Sequence, residues 1–191
     1  MTPILGIMAS QISGHLFTPT GSMYHIASTT LSTTAASITF SSIPADYTHL
    51  QLRSYFTPYS TAGDGFVQLT FNSDTAANYS WHYLSGNGSA AGAGALSGAS
   101  QLPFSVATGT GNSSLYPGVS VCDILDYANT SKYKTLRAIS GIEQNTNSGG
   151  TNQQYLFSGN WRNTAAITSI SIPSPYGSFN SGTTIALYGV K

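Results

Sequence analysis

A chain of 191 residues is long enough for one domain of ordinary size. It carries six Lys and Arg against six Asp and Glu, so it is 6% charged with no net charge, and 29 Ser, 23 Thr, 20 Gly and 11 Asn supply its polarity instead. Six scattered cations exclude a groove that neutralises nucleic-acid phosphates, a single Glu speaks against long helices, and 40% apolar content speaks against disorder.

Residues 1–20 differ from the rest. Ile4, Leu5, Ile7, Met8, Ile12 and Leu16 are apolar, yet Pro3, Gly6, Gly14 and Pro19 oppose a stable helix. An uncharged apolar arm either wraps onto its own domain or docks on another subunit. The strand pattern that follows is complete without it, so docking is expected, with Ile4, Leu5, Ile7, Met8 and Ile12 as anchors. The run has no basic region before it and is broken at Gly6, which makes a poor signal peptide. No stretch approaches the ~18 apolar residues of a membrane span, so no membrane insertion is expected.

Period-two alternation dominates from residue 22 onward. Strands are predicted over 22–30, 37–41, 48–56, 67–71, 78–84, 101–107, 118–126, 132–142, 153–161, 170–172 and 185–187. Leu50, Leu52, Val67, Leu69, Phe71, Ile170, Ile172, Ile185 and Leu187 form the predicted core. Short strands separated by Gly, Pro, Asn and Ser point to a sandwich or barrel rather than to βαβ units, and one all-β domain over 21–191, an antiparallel sandwich, is expected. Two segments interrupt the pattern. Residues 85–100 are almost entirely Gly, Ala and Ser and read as a flexible loop. Residues 145–151 read as a hairpin tip around Gly149 and Gly150.

Catalytic groups are scarce. There is no G-x-S-x-G elbow and no H-E-x-x-H, and His15, His25, His49 and His82 never fall at metal-ligand spacing. Asp123 and Asp126 alternate onto opposite faces, and Asp126 is placed for a hairpin-end ion pair with Lys132 and Lys134. The single Cys122 sits among apolar residues and reads as a buried hydrophobe. No catalysis, metal or cofactor is expected.

Aromatic chemistry is richer. Tyr79, Trp81 and Tyr83 alternate onto one face of their strand with His82 opposite. Tyr47, His49, Gln51, Arg53 and Tyr55 lie opposite the leucines of theirs, and Trp161 precedes Arg162 and Asn163. Tyr47, Tyr55, Tyr79, Trp81, Tyr83 and Trp161 are therefore candidates for three roles. These are ordinary core or cross-strand packing, a subunit interface, or a platform on which sugar rings stack.

Four stretches carry a resemblance: PILGIMASQISG at the start, SIPADYTHLQLR at 42–53, DILDYANTSKYKT at 123–135, and the closing WRNTAAITSISI and SGTTIALYGVK. Together they resemble small virion proteins of tailed bacteriophages, of the tail-fibre or head-decoration kind. The resemblance implies a jelly-roll-like sandwich, a trimer, and an N-terminal arm that fixes the domain to other virion proteins. It implies a location in the virion and, for a fibre, distal loops that contact a host glycan. A decoration protein would instead reinforce the particle without recognising a host.

Overall fold

The computed structural model describes residues 22–57, 64–109, 116–143 and 153–191. Among these residues every helical or strand element is a strand: β1 (Met23–Thr30), β2 (Ser37–Phe40), β3 (His49–Phe56), β4 (Gly65–Phe71), β5 (Tyr79–Gly86), β6 (Ala91–Ala99), β7 (Leu102–Ala107), β8 (Gly118–Leu125), β9 (Lys134–Ile142), β10 (Gln153–Trp161), β11 (Ile170–Pro173) and β12 (Thr184–Val190). The arm expected over residues 1–20, with its anchors, and the hairpin tip expected at 145–151 lie outside the described residues.

β3 shows how the sequence makes these strands. Leu50, Leu52, Ser54 and Phe56 are buried while the residues between them face outward, because successive side chains of an extended chain point to opposite faces. Eight strands pair in the order β1-β12-β3-β8-β9-β10-β5-β6, and four in the order β2-β11-β4-β7. The two antiparallel sheets pack as a sandwich. All nine residues predicted for the core are fully buried between them. Phe56 links the layers, stacking on Phe179 at 5.4 Å and meeting Phe104 edge-on at 6.0 Å.

The β7 edge of the smaller sheet is not left open. Every residue of β7 is buried, because the larger sheet runs across it. The carbonyl of Val106 lies where a side chain on Gly118 would stand, 1.8 Å from the position of its Cβ. The Val106 N–H donates to Ser140 Oγ over 3.0 Å. Covering an edge in this way removes a template for unwanted strand pairing.

The segment predicted as a loop at 85–100 is a correction. β5 continues to Gly86, and Ala91–Ala99 forms β6, paired in register with β5 at the rim of the larger sheet. Glycine is required there by close approach rather than by flexibility. A Cβ on Gly94 would stand 2.7 Å from the Tyr83 ring, and one on Gly92 would stand 2.8 Å from Ser85 Oγ. The tight connection is short: Asn87 Oδ1 accepts the N–H groups of Ser89 and Ala90, and Gly88 takes a φ of +87°.

The ion pair expected at Asp126 is half correct. Lys132 Nζ reaches the Asp126 carboxylate at 3.2 Å. Lys134 instead turns into the protein, fully buried, and donates to the carbonyls of Asn129, Lys132 and Thr164. Burial lowers its pKa, against a smaller opposing pull from Asp126. Its ammonium ties the turn after β8 to the segment after β10.

Register fixes the two ends of the sandwich. One row runs Thr30, Thr184, Tyr55, Val119, Gly141, Gln154, Gly86 and Ala91 across the larger sheet. Met23, Val190 and His49 stand at the opposite end. There the last residue closes on the first described one, Lys191 N–H donating to the Ser22 carbonyl over 3.0 Å.

Candidate functional site

The six aromatic candidates do not gather. Tyr79 and Trp161 are in the core, stacked at 6.3 Å with Phe71 beside them. The face of β5 that carries Tyr79, Trp81 and Tyr83 is the inward one, and Trp161 is the cross-strand partner of Tyr79. Neither Tyr79 nor Trp161 offers a ring to a sugar or a partner. Tyr47 is half-buried against Tyr24, its ring lying over Gly189 where a Cβ would come within 2.2 Å. Tyr55 stands 45% exposed on the outer face of the larger sheet. Only Trp81 and Tyr83 share a site.

That site is built around Phe66. β4 buries Val67, Leu69 and Phe71 toward the sandwich core, so Phe66 points to the other side of its sheet. β5 and β10 reach past β7 and close over it. Tyr83, Tyr155 and Phe157 meet the Phe66 ring edge-on at 5.2–5.3 Å, and Trp81 meets it at 6.4 Å. Edge-to-face contacts place the positive ring edge on the negative ring face, which favours this cluster beyond its area. The Trp81 indole N–H is shielded from water, and among the described residues it has no hydrogen-bond partner.

Two clefts open beside Phe66, and Phe66 and Tyr176 line both. The first has a volume of about 340 Å³ and adds Asp64 and Tyr155. The second has a volume of about 380 Å³ and adds Gln68, Gln101 and Ser174. Burial, with smaller contributions from Tyr83 and Asp64, raises the Tyr155 pKa and keeps its phenol a donor; that phenol donates to Gln153 Oε1. The groove thus pairs ring faces with carboxylate, amide and hydroxyl groups. Such a lining suits a ligand with both C–H faces and hydroxyls, as sugars have.

Phe66, Tyr155 and Tyr176 were missed in the sequence. A signal existed for Phe66: in the alternation 67, 69, 71 it is a large aromatic out of phase, on the face expected to be polar. Tyr176 sits in a Pro-Tyr-Gly turn after β11 and carries no periodic signal.

Among the described residues no three His, Cys, Asp or Glu side chains gather to hold a metal ion. His49 Nδ1 accepts the Asp126 N–H over 3.0 Å and completes the turn after β8. Cys122 is fully buried, and burial raises its thiol pKa well above the ordinary value. No family model, curated protein or solved structure matches the chain.

Proposed function

We propose that this chain is a non-enzymatic structural protein of a bacteriophage virion, a fibre or adhesin component. Its N-terminal arm fixes a self-associated domain to other virion proteins, three copies being what the resemblance implies. Its opposite end meets a host-surface glycan.

One observation carries this reading. The described chain enters at Ser22 at one end of the sandwich, while the Phe66 groove opens toward the other. The strand ends that flank residues 58–63, 110–115 and 144–152 lie at that same far end. An attachment at one end therefore leaves the groove clear. The absence of net charge favours close packing of copies, since little repulsion keeps them apart.

The second reading, a capsid decoration protein, shares the arm and the neutral surface but assigns no ligand to the groove. Copy number separates the two. Quantified bands from purified particles with tens of copies or fewer support the fibre; hundreds per particle move the assignment to decoration. A protein missing from purified particles removes both.

A further inference from the structure

The outer face of the larger sheet carries a stripe of large apolar side chains. Leu84, Leu156, Ile139 and Val121 stand opposite one another in register across β5, β10, β9 and β8. Val119 pairs with Tyr55 in the neighbouring row. Their exposures run from 43% at Val121 to 64% at Ile139. Antiparallel sheets with one solvated face normally place polar residues there, and this chain is rich in Ser, Thr and Asn that could fill such positions. The stripe departs from that rule on four adjacent strands. Between Tyr55, Val119 and Ile139 it dips into a depression of about 610 Å³, where Gly141 and Ala186 supply little side chain.

We infer that this stripe is the surface on which a second copy of the chain packs. The inference deepens the self-association of the proposed function by naming its surface, and it rests on no other part of that reading. Three observations favour a copy over a partner of different chemistry. First, the charges beside the stripe are few and of both signs: Arg53 Nε donates to Gln51 Oε1 over 2.9 Å, Gln51 Nε2 donates to Asp123 Oδ1 over 2.8 Å, and the exposed Arg137 stands across the pair from Asp123. No cluster of like charge marks this face for a strongly acidic or basic partner. Second, the chain has no net charge, so two copies do not repel. Third, the area is right. Six side chains exposed by about half present on the order of 500 Å² of apolar surface, the upper part of the range for the largest patch of a monomer. With a rim of Gln51, Gln154 and Thr184, this approaches the ~800 Å² per partner of a standard interface. Two or more such faces turned to a common symmetry axis close the assembly, so the contact does not propagate into a filament.

Sedimentation of the full chain at micromolar concentration tests this. Wild type is expected at two or three times its 20.0 kDa chain mass. The double variant Ile139→Lys and Leu156→Lys is expected at one chain mass. Ile139→Thr with Leu156→Thr, which keeps strand propensity, provides a second variant should lysines prevent folding, and is expected to weaken association at least tenfold. Leu96→Lys, on the other face of β6, should sediment as wild type. A monomeric wild type overturns the inference, as does an oligomer unchanged in the threonine variant. So does dissociation by Ile7→Lys with Met8→Lys while the stripe variants keep the oligomer, because the arm would then join the copies.

Discussion

The indole Nε1 of Trp161 donates to the Asp74 carboxylate over 2.7 Å. Asp74 also accepts the Ala76 N–H and the Asn78 amide, so one side chain organises the turn between β4 and β5 and anchors it to the core through β10. Removing the carboxylate in Asp74→Ala leaves a buried indole N–H without its acceptor. The expected loss is about 2–3 kcal/mol by chemical denaturation.

The same carboxylate predicts an acid limb. Burial pushes the Asp74 pKa up, but the hydrogen bonds from Asn78, Trp161 and Ala76 together outweigh it and hold the group below the ordinary 3.8. The unfolded chain therefore takes up this proton first as acid is added. Its contribution is complete above the ordinary value and is lost as pH falls through the lower folded one. Thermal melts from pH 6 to 2 should show the midpoint falling in that window, with a shallower fall in Asp74→Asn.

Tyr79 predicts the opposite limb. Burial, helped by the charge of Asp74 and opposed by the Phe71 N–H bond, raises its phenol to about 12. A raised folded pKa gives stability that is complete below the ordinary 10.0 and lost as pH rises toward 12. The hydroxyl accepts from Phe71 N–H at 3.0 Å and donates to the Asp74 carbonyl at 2.9 Å. Tyr79→Phe should remove this alkaline limb, and at neutral pH it should cost about 1–3 kcal/mol by orphaning the Phe71 N–H.

Gly118→Ala should be among the most damaging single-atom additions. The new methyl would meet the Val106 carbonyl at 1.8 Å, backbone against backbone, with no flexible side chain to yield. An expected loss of about 3 kcal/mol or more follows from overpacking of this kind. Equilibrium unfolding in urea checks it; a change below 1 kcal/mol would show that β7 shifts freely.

The groove makes a binding prediction. Tyr176 is half exposed and lines both clefts. Tyr176→Ala should leave the melting temperature nearly unchanged and weaken binding to host-surface polysaccharide about fivefold, the loss of one stacking ring at roughly 1 kcal/mol. Titration of the full chain against purified polysaccharide reads this. Equal affinity in the variant would move the ligand away from Phe66.

Alternation carried most of the fold. Leu50 with Leu52 and Ile185 with Leu187 announce both strand and buried face, because burial of one face imposes a strict period on side-chain type. β6 was hidden for the opposite reason. Its Ala-Gly alternation has the period but lacks the β-branched and aromatic residues by which strands are recognised, and its glycines answer to Tyr83 across the pair. Lys134 misled by its charge, since three carbonyls brought together by tertiary structure satisfy an ammonium that the sequence places at a surface turn. Tyr79 was recognisable as sharing a strand face with Trp81 and Tyr83, and Trp161 only as an aromatic at a strand end. Their burial depended on which face the smaller sheet would cover, and no local pattern states that.

Because the Lys191 N–H rests on the Ser22 carbonyl, both ends of the described chain leave through one doorway. An affinity tag or fluorescent protein fused after Lys191 would emerge beside Ser22, where the described chain enters the sandwich. A reporter placed in the Asn87–Ala90 turn, at the far end of the sheet, would leave the Ser22 and Lys191 end undisturbed while marking where the domain points.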